Sequence, residues 1–272
     1  MKPKLTVIDI NFLQDFALAL RHEADPGVVH EKLSWLLDHY DVINYDLSYD
    51  WPIWRARKCK TENGFGSVNE LIYPPRHIVN AGRLNNAGEP MLYGALNKNT
   101  ALEEIGAEGG EYVHIIGFRI KKGASIKCCI VGEIDSVYRS GRAMISEELG
   151  VQLNRLIQRM PYQAAMSFVF ADAFLSSLLR DPSASKNDYL HSRTVRQLLF
   201  ERKSDLEAIC YLSVRMEGAM NIALKPEVAD ERLDLAGTSV IKIEKKFDYG
   251  LFDFSLVKNA KDIEQDRKII WG

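Results

Sequence analysis

At 272 residues the chain is long for one compact domain and short for two average ones, domains running near about 150 residues. Its 46% hydrophobic and 26% charged residues are ordinary globular values, which exclude disordered, collagen-like and low-complexity architectures for the bulk of the sequence. The 35 basic residues nearly cancel the 37 acidic ones, and a formal net charge of −2 argues against a nucleic-acid binder working through its overall field.

The first fifty residues read as helical, with Phe12, Phe16, Leu18 and Leu20 in one amphipathic stretch and Leu33, Leu36 and Leu37 in a second. Lys2 and Lys4 precede an apolar stretch that Asp9 and Asp15 interrupt, which makes a poor signal peptide. The Asn-Gly-Phe-Gly run at 63–66 and the Pro74-Pro75 pair mark a loop. Met91 to Leu96 is a short strand candidate, and Asn99-Thr100 can cap a helix running to about Glu108, ended by Gly109-Gly110. Tyr112 to Ile120 and Ser125 to Val131 are apolar and β-branched, two strands joined by a turn at Lys-Lys-Gly. Residues 141–203 read as helical. Strand character returns at Ala208–Val214, Met220–Leu224, Ser239–Ile243 and Leu251–Val257. Strands that flank a helical block, without regular βαβ alternation, favour an α+β fold.

From Met160 to Leu179 the only charged residue is Asp172. A central Asp costs roughly 2.5–3.5 kcal/mol on membrane insertion, so this segment reads as a helix buried in a soluble protein. Cys59, Cys128, Cys129 and Cys210 form no CxxC pair and no metal-like spacing with the six scattered histidines. Buried free thiols in a reducing cytosol are the expectation, with no metal. No GxGxxG follows a strand, and neither GxxxxGK[ST] nor GxSxG occurs, so Rossmann, P-loop and α/β-hydrolase chemistry lose support.

The informative stretch runs from Trp54 to Glu104. It holds Trp54-Arg55-Ala56-Arg57, Gly82-Arg83-Leu84-Asn85, Met91-Leu92-Tyr93 and Thr100-Ala101-Leu102-Glu103-Glu104; Tyr211-Leu212-Ser213-Val214-Arg215 and Asn221 follow later. At about 100° per residue, Ala101, Leu102 and Ile105 share one helix face, Glu103 lies opposite it and Glu104 at its edge. Glu103 therefore reads as solvated, and Glu104 as the carboxylate that reaches a cleft. On a strand, Cys210, Leu212 and Val214 form a core face, while Tyr211, Ser213 and Arg215 line the other. Arg55 and Arg57 share a face, and Tyr93 shares one with Met91 and Ala95.

Taken one at a time these residues have plain explanations. An arginine on a strand is usually a snorkelling edge residue, paired glutamates near a helix start suit its dipole, and GRxN is usually only a turn. Their order and spacing together resemble the RES-domain family over residues 52–132 and 206–226. The resemblance implies an ADP-ribosyltransferase-like mixed β-sheet core in a catalytic domain over 51–272, to which an N-terminal helical extension over 1–50 is added. A helical insertion at about 141–203 and C-terminal strands would be additions to it.

It further implies an enzyme that consumes NAD⁺ as substrate, with no other cofactor, by hydrolysis, by phosphorolysis or by ADP-ribosyl transfer to a protein. Glu104, Arg55, Tyr93 and Ser213 are then the catalytic candidates, with Arg57 in reserve, and Arg83, Asn85 and Asn221 the substrate-binding ones. Many members are toxins held by an Xre-type antitoxin, which leaves such a partner, or a homo-oligomer, open here. The chemistry is compatible. A carboxylate can stabilise an oxocarbenium-like state, and a diphosphate calls for bidentate arginine. A rival reading is a non-catalytic module that touches nucleic acid through Arg193, Arg196, Arg202 and Lys203; a solvated helix face is the commoner explanation of such a stripe.

Overall fold

The computed structural model describes residues 7–272, so Lys2 and Lys4 lie outside the described residues. The fold is α+β. Its α-helices are α1 (Ile10–Arg21), α2 (Pro26–His39), α3 (Lys98–Glu104), α4 (Glu133–Ser140), α5 (Glu147–Arg159), α6 (Tyr162–Leu179), α7 (Leu190–Arg202) and α8 (Pro226–Arg232). The strands are β1 (Ile43–Leu47), β2 (Ile53–Cys59), β3 (Leu92–Ala95), β4 (Tyr112–Ile120), β5 (Ile126–Val131), β6 (Ala208–Leu212), β7 (Met220–Leu224), β8 (Leu233–Phe247), β9 (Leu251–Ile263) and β10 (Ile269–Trp271). Two compact units divide the chain, one from residues up to Tyr45 with 81–86 and 127–212, the other from 46–80, 87–126 and 213–272.

The first unit is mainly helical. Asp9 caps α1 by accepting from the Asn11 and Phe12 N–H groups, and Asp25 caps α2 ahead of Pro26 at its first turn. Both are the helices expected from periodicity, but the buried stripe of α1 is Leu13, Ala17 and Leu20. Phe12 instead meets Trp35 of α2 edge-on and Phe16 meets it tilted, with ring centroids 5.5 and 5.1 Å away, and Leu18 is exposed. Leu33, Leu36 and Leu37 of α2 are buried as expected.

Helix α6 is apolar all round because it is the central helix of this unit, packed by α1, α4, α7 and β6. Among the described residues it is the helix long and apolar enough to cross a membrane, and 67% of it is buried inside the structure. Its Asp172 is fully buried. The carboxylate accepts from Tyr40 Oη, Gly132 N and Asp135 N, each at 2.9 Å, so it caps α4 from a neighbouring helix. Burial raises its pKa from 3.8 to about 6 against the pull of those donors. Strands β5 and β6 pair in parallel, and Cys128, Cys129 and Cys210 on them are buried free thiols.

The second unit is an antiparallel sheet in the order β7-β3-β2-β4-β8-β9-β10. Strand β4 pairs with β2 and β8, so the turn after Ile120 leads into β5 without making a hairpin with it. Helix α3 covers one face of this sheet. Ala101, Leu102 and Ile105 pack into a cluster with Ala56, Val113, Ile115, Ile241 and Ile243, which is the helix face read from the sequence. The helix stops at Glu104, before the expected end, because Ile105 caps it and Gly106 takes φ +58°.

His114 on β4 is wholly buried. Its Nδ1 accepts from Phe65 N at 3.1 Å, and its Nε2 lies 2.8 Å from Thr238 Oγ1, which donates to Ile115 O. That chain requires the neutral ring with the proton on Nε2. Burial, with Lys258 nearby, lowers its pKa to about 4.

Candidate active site

Glu104 and Glu103 are the last two residues of α3, not its first turn. A carboxylate at that end faces the negative pole of the helix dipole, so the dipole does not explain Glu104. Two side chains answer it instead. Ser213 Oγ and Asn221 Nδ2 each donate to Glu104 Oε1 at 2.6 Å, the short range of charge-assisted hydrogen bonds. The residue as a whole is nevertheless exposed.

Glu103 does not behave as the helical wheel suggests. It is 9% exposed and lies 3.3 Å from Lys246 Nζ, because the β8–β9 hairpin covers the side of α3 that would otherwise meet water. The wheel correctly separates the two glutamates, but their exposures are reversed.

Strand alternation likewise fails at Ser213. Strand β6 ends at Leu212 with all five of its residues buried, Tyr211 included, so no polar row forms there. Ser213 is placed by the turn that follows. Arg215 N and Met216 N donate to its Oγ at 3.1 and 3.0 Å, which leaves the hydroxyl proton for Glu104. Asn221 stands on β7 opposite Ala95 of β3, two residues along from the Tyr93–Ala223 pair.

Arg55 lies on β2 opposite Ile116 of β4, and its Nη1 donates to the Tyr93 carbonyl at 2.8 Å. Next to Tyr93, Gly94 lets β3 lie close against β2: a Cβ there would sit 2.5 Å from Ile53 Cγ2 and 3.4 Å from the Trp54 carbonyl. Burial, then the neighbouring Arg57 charge, lowers the Arg55 pKa to about 10, so it stays cationic at neutral pH. Arg57 is engaged elsewhere, donating to the Glu70 carbonyl and covering the Phe65 ring at 4.9 Å. Tyr93 itself is half-buried.

The second unit therefore brings Glu104, Ser213 and Asn221 into direct contact and joins Arg55 to the Tyr93 backbone. Two polar atoms of this group, Arg55 Nε and Asn221 Oδ1, are buried without a hydrogen-bond partner. An orphaned buried polar group costs roughly 1–3 kcal/mol, and two in one constellation suit a site built to take a polar ligand.

Arg83 and Asn85 belong to the first unit. The Gly82–Asn85 segment closes as a tight turn, with Gly82 N donating to Asn85 O at 3.0 Å. Arg83 Nη1 binds the carbonyls of Leu179 and Asp181 at 2.7 and 3.1 Å, capping the end of α6. That structural duty goes unseen in the sequence because its partners lie almost a hundred residues away.

The RES-domain family model matches residues 52–240, more than half of the 272, and spans every candidate from Arg55 to Asn221. It also runs through the helices between the two segments that carry the resemblance, and it ends within β8. No curated protein matches the chain. RES domains are associated with NAD-related toxin–antitoxin systems. With a match of that extent over a site of this composition, the chain belongs to the RES-domain family.

Proposed function

We propose that this RES protein consumes NAD⁺ by cleaving the bond between nicotinamide and ribose. The observation that carries the reading is the Glu104 carboxylate, held by Ser213 and Asn221 through one oxygen on a residue that is exposed as a whole. As the C–N bond breaks, its electron pair leaves with nicotinamide and positive charge develops on the ribose. A fixed carboxylate stabilises that charge without reorganising at the moment of reaction. Ser213 and Asn221 keep it oriented. Arg55, cationic and with an unpartnered buried Nε, serves the diphosphate or ribose, and Tyr93 offers an aromatic edge to the nicotinamide end.

The ADP-ribosyl oxocarbenium is then captured by water, giving ADP-ribose and a proton, or by phosphate, giving ADP-ribose phosphorylated at its anomeric carbon. The test is NAD⁺ loss with purified protein, with and without phosphate, beside Glu104→Ala. Loss that vanishes in the variant while its thermal midpoint holds is the expected result, and phosphate dependence separates the two acceptors. Radiolabel transferred to a protein instead would assign ADP-ribosylation. Undiminished turnover by Glu104→Ala would overturn the site.

A further inference from the structure

The β8–β9 hairpin, most of which lies beyond the family-matched segment, reaches back to the site. Strand β8 places Lys246 Nζ 3.3 Å from Glu103 and 3.2 Å from Glu108, so it grips both ends of the turn that follows Glu104. The hairpin tip, Asp248–Gly250, packs against α3. At Gly250 the chain takes φ +71°, and a Cβ built there would lie 2.3 Å from Met216 Cε and 3.6 Å from Glu103 Cγ. The Met216 methyl is thus seated directly on the Gly250 backbone.

Met216 holds three things at once. Its backbone N–H donates to Ser213 Oγ at 3.0 Å, helping to aim that hydroxyl at Glu104. Its sulfur accepts from Thr100 Oγ1 at 3.1 Å, and Thr100 is wholly buried one helical turn before Glu104 on α3. Its methyl group meets the hairpin tip. One residue therefore ties the turn that presents the serine to the helix that presents the carboxylate, with the hairpin closing over both.

We infer that Met216 is a positioning residue for the Glu104–Ser213 pair and that the β8–β9 hairpin, through Gly250 and Lys246, is the buttress that keeps it in place. The catalytic part of this rests on the NAD⁺-cleaving reading; the mechanical part does not. Gly250→Ala is the informative variant. The atom it strikes is the free end of a flexible side chain, so the fold can yield by moving Met216 and breaking its contact with Thr100. Met216→Ala removes the tie outright, and Met216→Leu restores most of its volume.

The experiment measures amide hydrogen exchange at Arg215 and Met216, together with NAD⁺ kinetics, in the full-length protein. Exchange at those two amides is expected to be at least about tenfold faster in Gly250→Ala and Met216→Ala, beyond what any fall in thermal midpoint accounts for, with Met216→Leu near wild type. The φ of +71° at Gly250 adds backbone strain of its own to the first variant, and Met216→Ala is free of it. On NAD⁺, kcat should fall on the order of tenfold or more with KM within about twofold, since misplacing a reacting group by about 1 Å can cost 10²-fold; Met216→Leu should recover most of it. Unchanged exchange in both variants would overturn the inference whether or not NAD⁺ is consumed. Faster exchange in a protein whose wild type does not consume NAD⁺ would uphold the buttress and overturn the functional reading instead. Faster exchange with full kcat would also overturn the positioning role.

Discussion

Asn221 shows how closely the site depends on the sense of one hydrogen bond. Its Nδ2 donates to Glu104 Oε1 at 2.6 Å, and its Oδ1 is buried with no partner. Aspartate has the same shape and cannot donate when ionised. Asn221→Asp would set a second carboxylate against Glu104, where like charges at this separation disfavour each other. We expect kcat/KM for NAD⁺ to drop on the order of 10²-fold or more, the scale found for removing one preorganised donor, with the drop measured by steady-state kinetics. Arg55 gives a complementary case at the opposite charge. Lysine keeps the cation but loses the planar fork that binds the Tyr93 carbonyl with Nη1 and leaves Nε for a ligand. Arg55→Lys should therefore raise KM by about tenfold, with kcat changed less; equal KM values would remove Arg55 from substrate binding.

At the scale of elements, the two units carry buried groups whose protons act in opposite senses. His114 has an ordinary pKa near 6.5 and about 4 when folded, so the unfolded chain binds a proton that the folded one refuses. Its stabilisation is present above pH 6.5 and is lost as pH falls toward 4. Asp172 runs the other way, from 3.8 to about 6, so the folded form keeps a proton and its contribution is present below pH 3.8 and lost as pH rises toward 6. Each is worth about 3 kcal/mol at most by linkage, and over pH 4–6 they oppose each other. His114→Gln should leave the Asp172 term unmasked, so stability lost on acidification from pH 6.5 to 4 should be smaller than in wild type, by denaturant midpoints at the two pH values. Asp172→Asn should make the acid loss steeper. If both variants track wild type, burial is not setting these protons.

The same scale shows what the sequence could display. Strands β4 and β7 fall where their apolar, β-branched runs place them, because most of their residues are buried. Strand β1 is too short and too exposed on alternate residues to stand out from the helices before it. Strand β8 runs from Leu233 to Phe247, but apart from Leu233 only its middle is buried, so the exposed residues on either side of that middle carry the composition of a loop. The candidate site was legible by residue type and order. Its pairing was not, since the partners of Glu104 lie 109 and 117 residues away and Ser213 is aimed by a turn beyond the strand that alternation describes.

For the whole molecule, the remaining question is whether its arginines form a surface for nucleic acid. The stripe read on α7 is largely engaged within its own unit. Arg193 pairs with Asp188 at 3.0 Å and reaches Asn86, Arg202 binds Asp38 and Ser34, and Arg196 lies over the Phe200 ring at 5.1 Å. Binding phosphates would require breaking these pairs first, and a net charge of −2 supplies no compensating field. Non-specific DNA binders reach dissociation constants of about 10⁻⁴–10⁻⁶ M at physiological salt and gain steeply as salt falls. This protein should show no binding to duplex DNA or RNA at about 10 μM even near 50 mM salt, by fluorescence anisotropy. Binding with a steep salt slope would mean that these internal pairs are weak competitors and would restore the rival reading. Its absence, beside NAD⁺ loss that depends on Glu104, would locate the chemistry of this chain in the antiparallel unit and leave the arginines of α7 as the ties of a helical one.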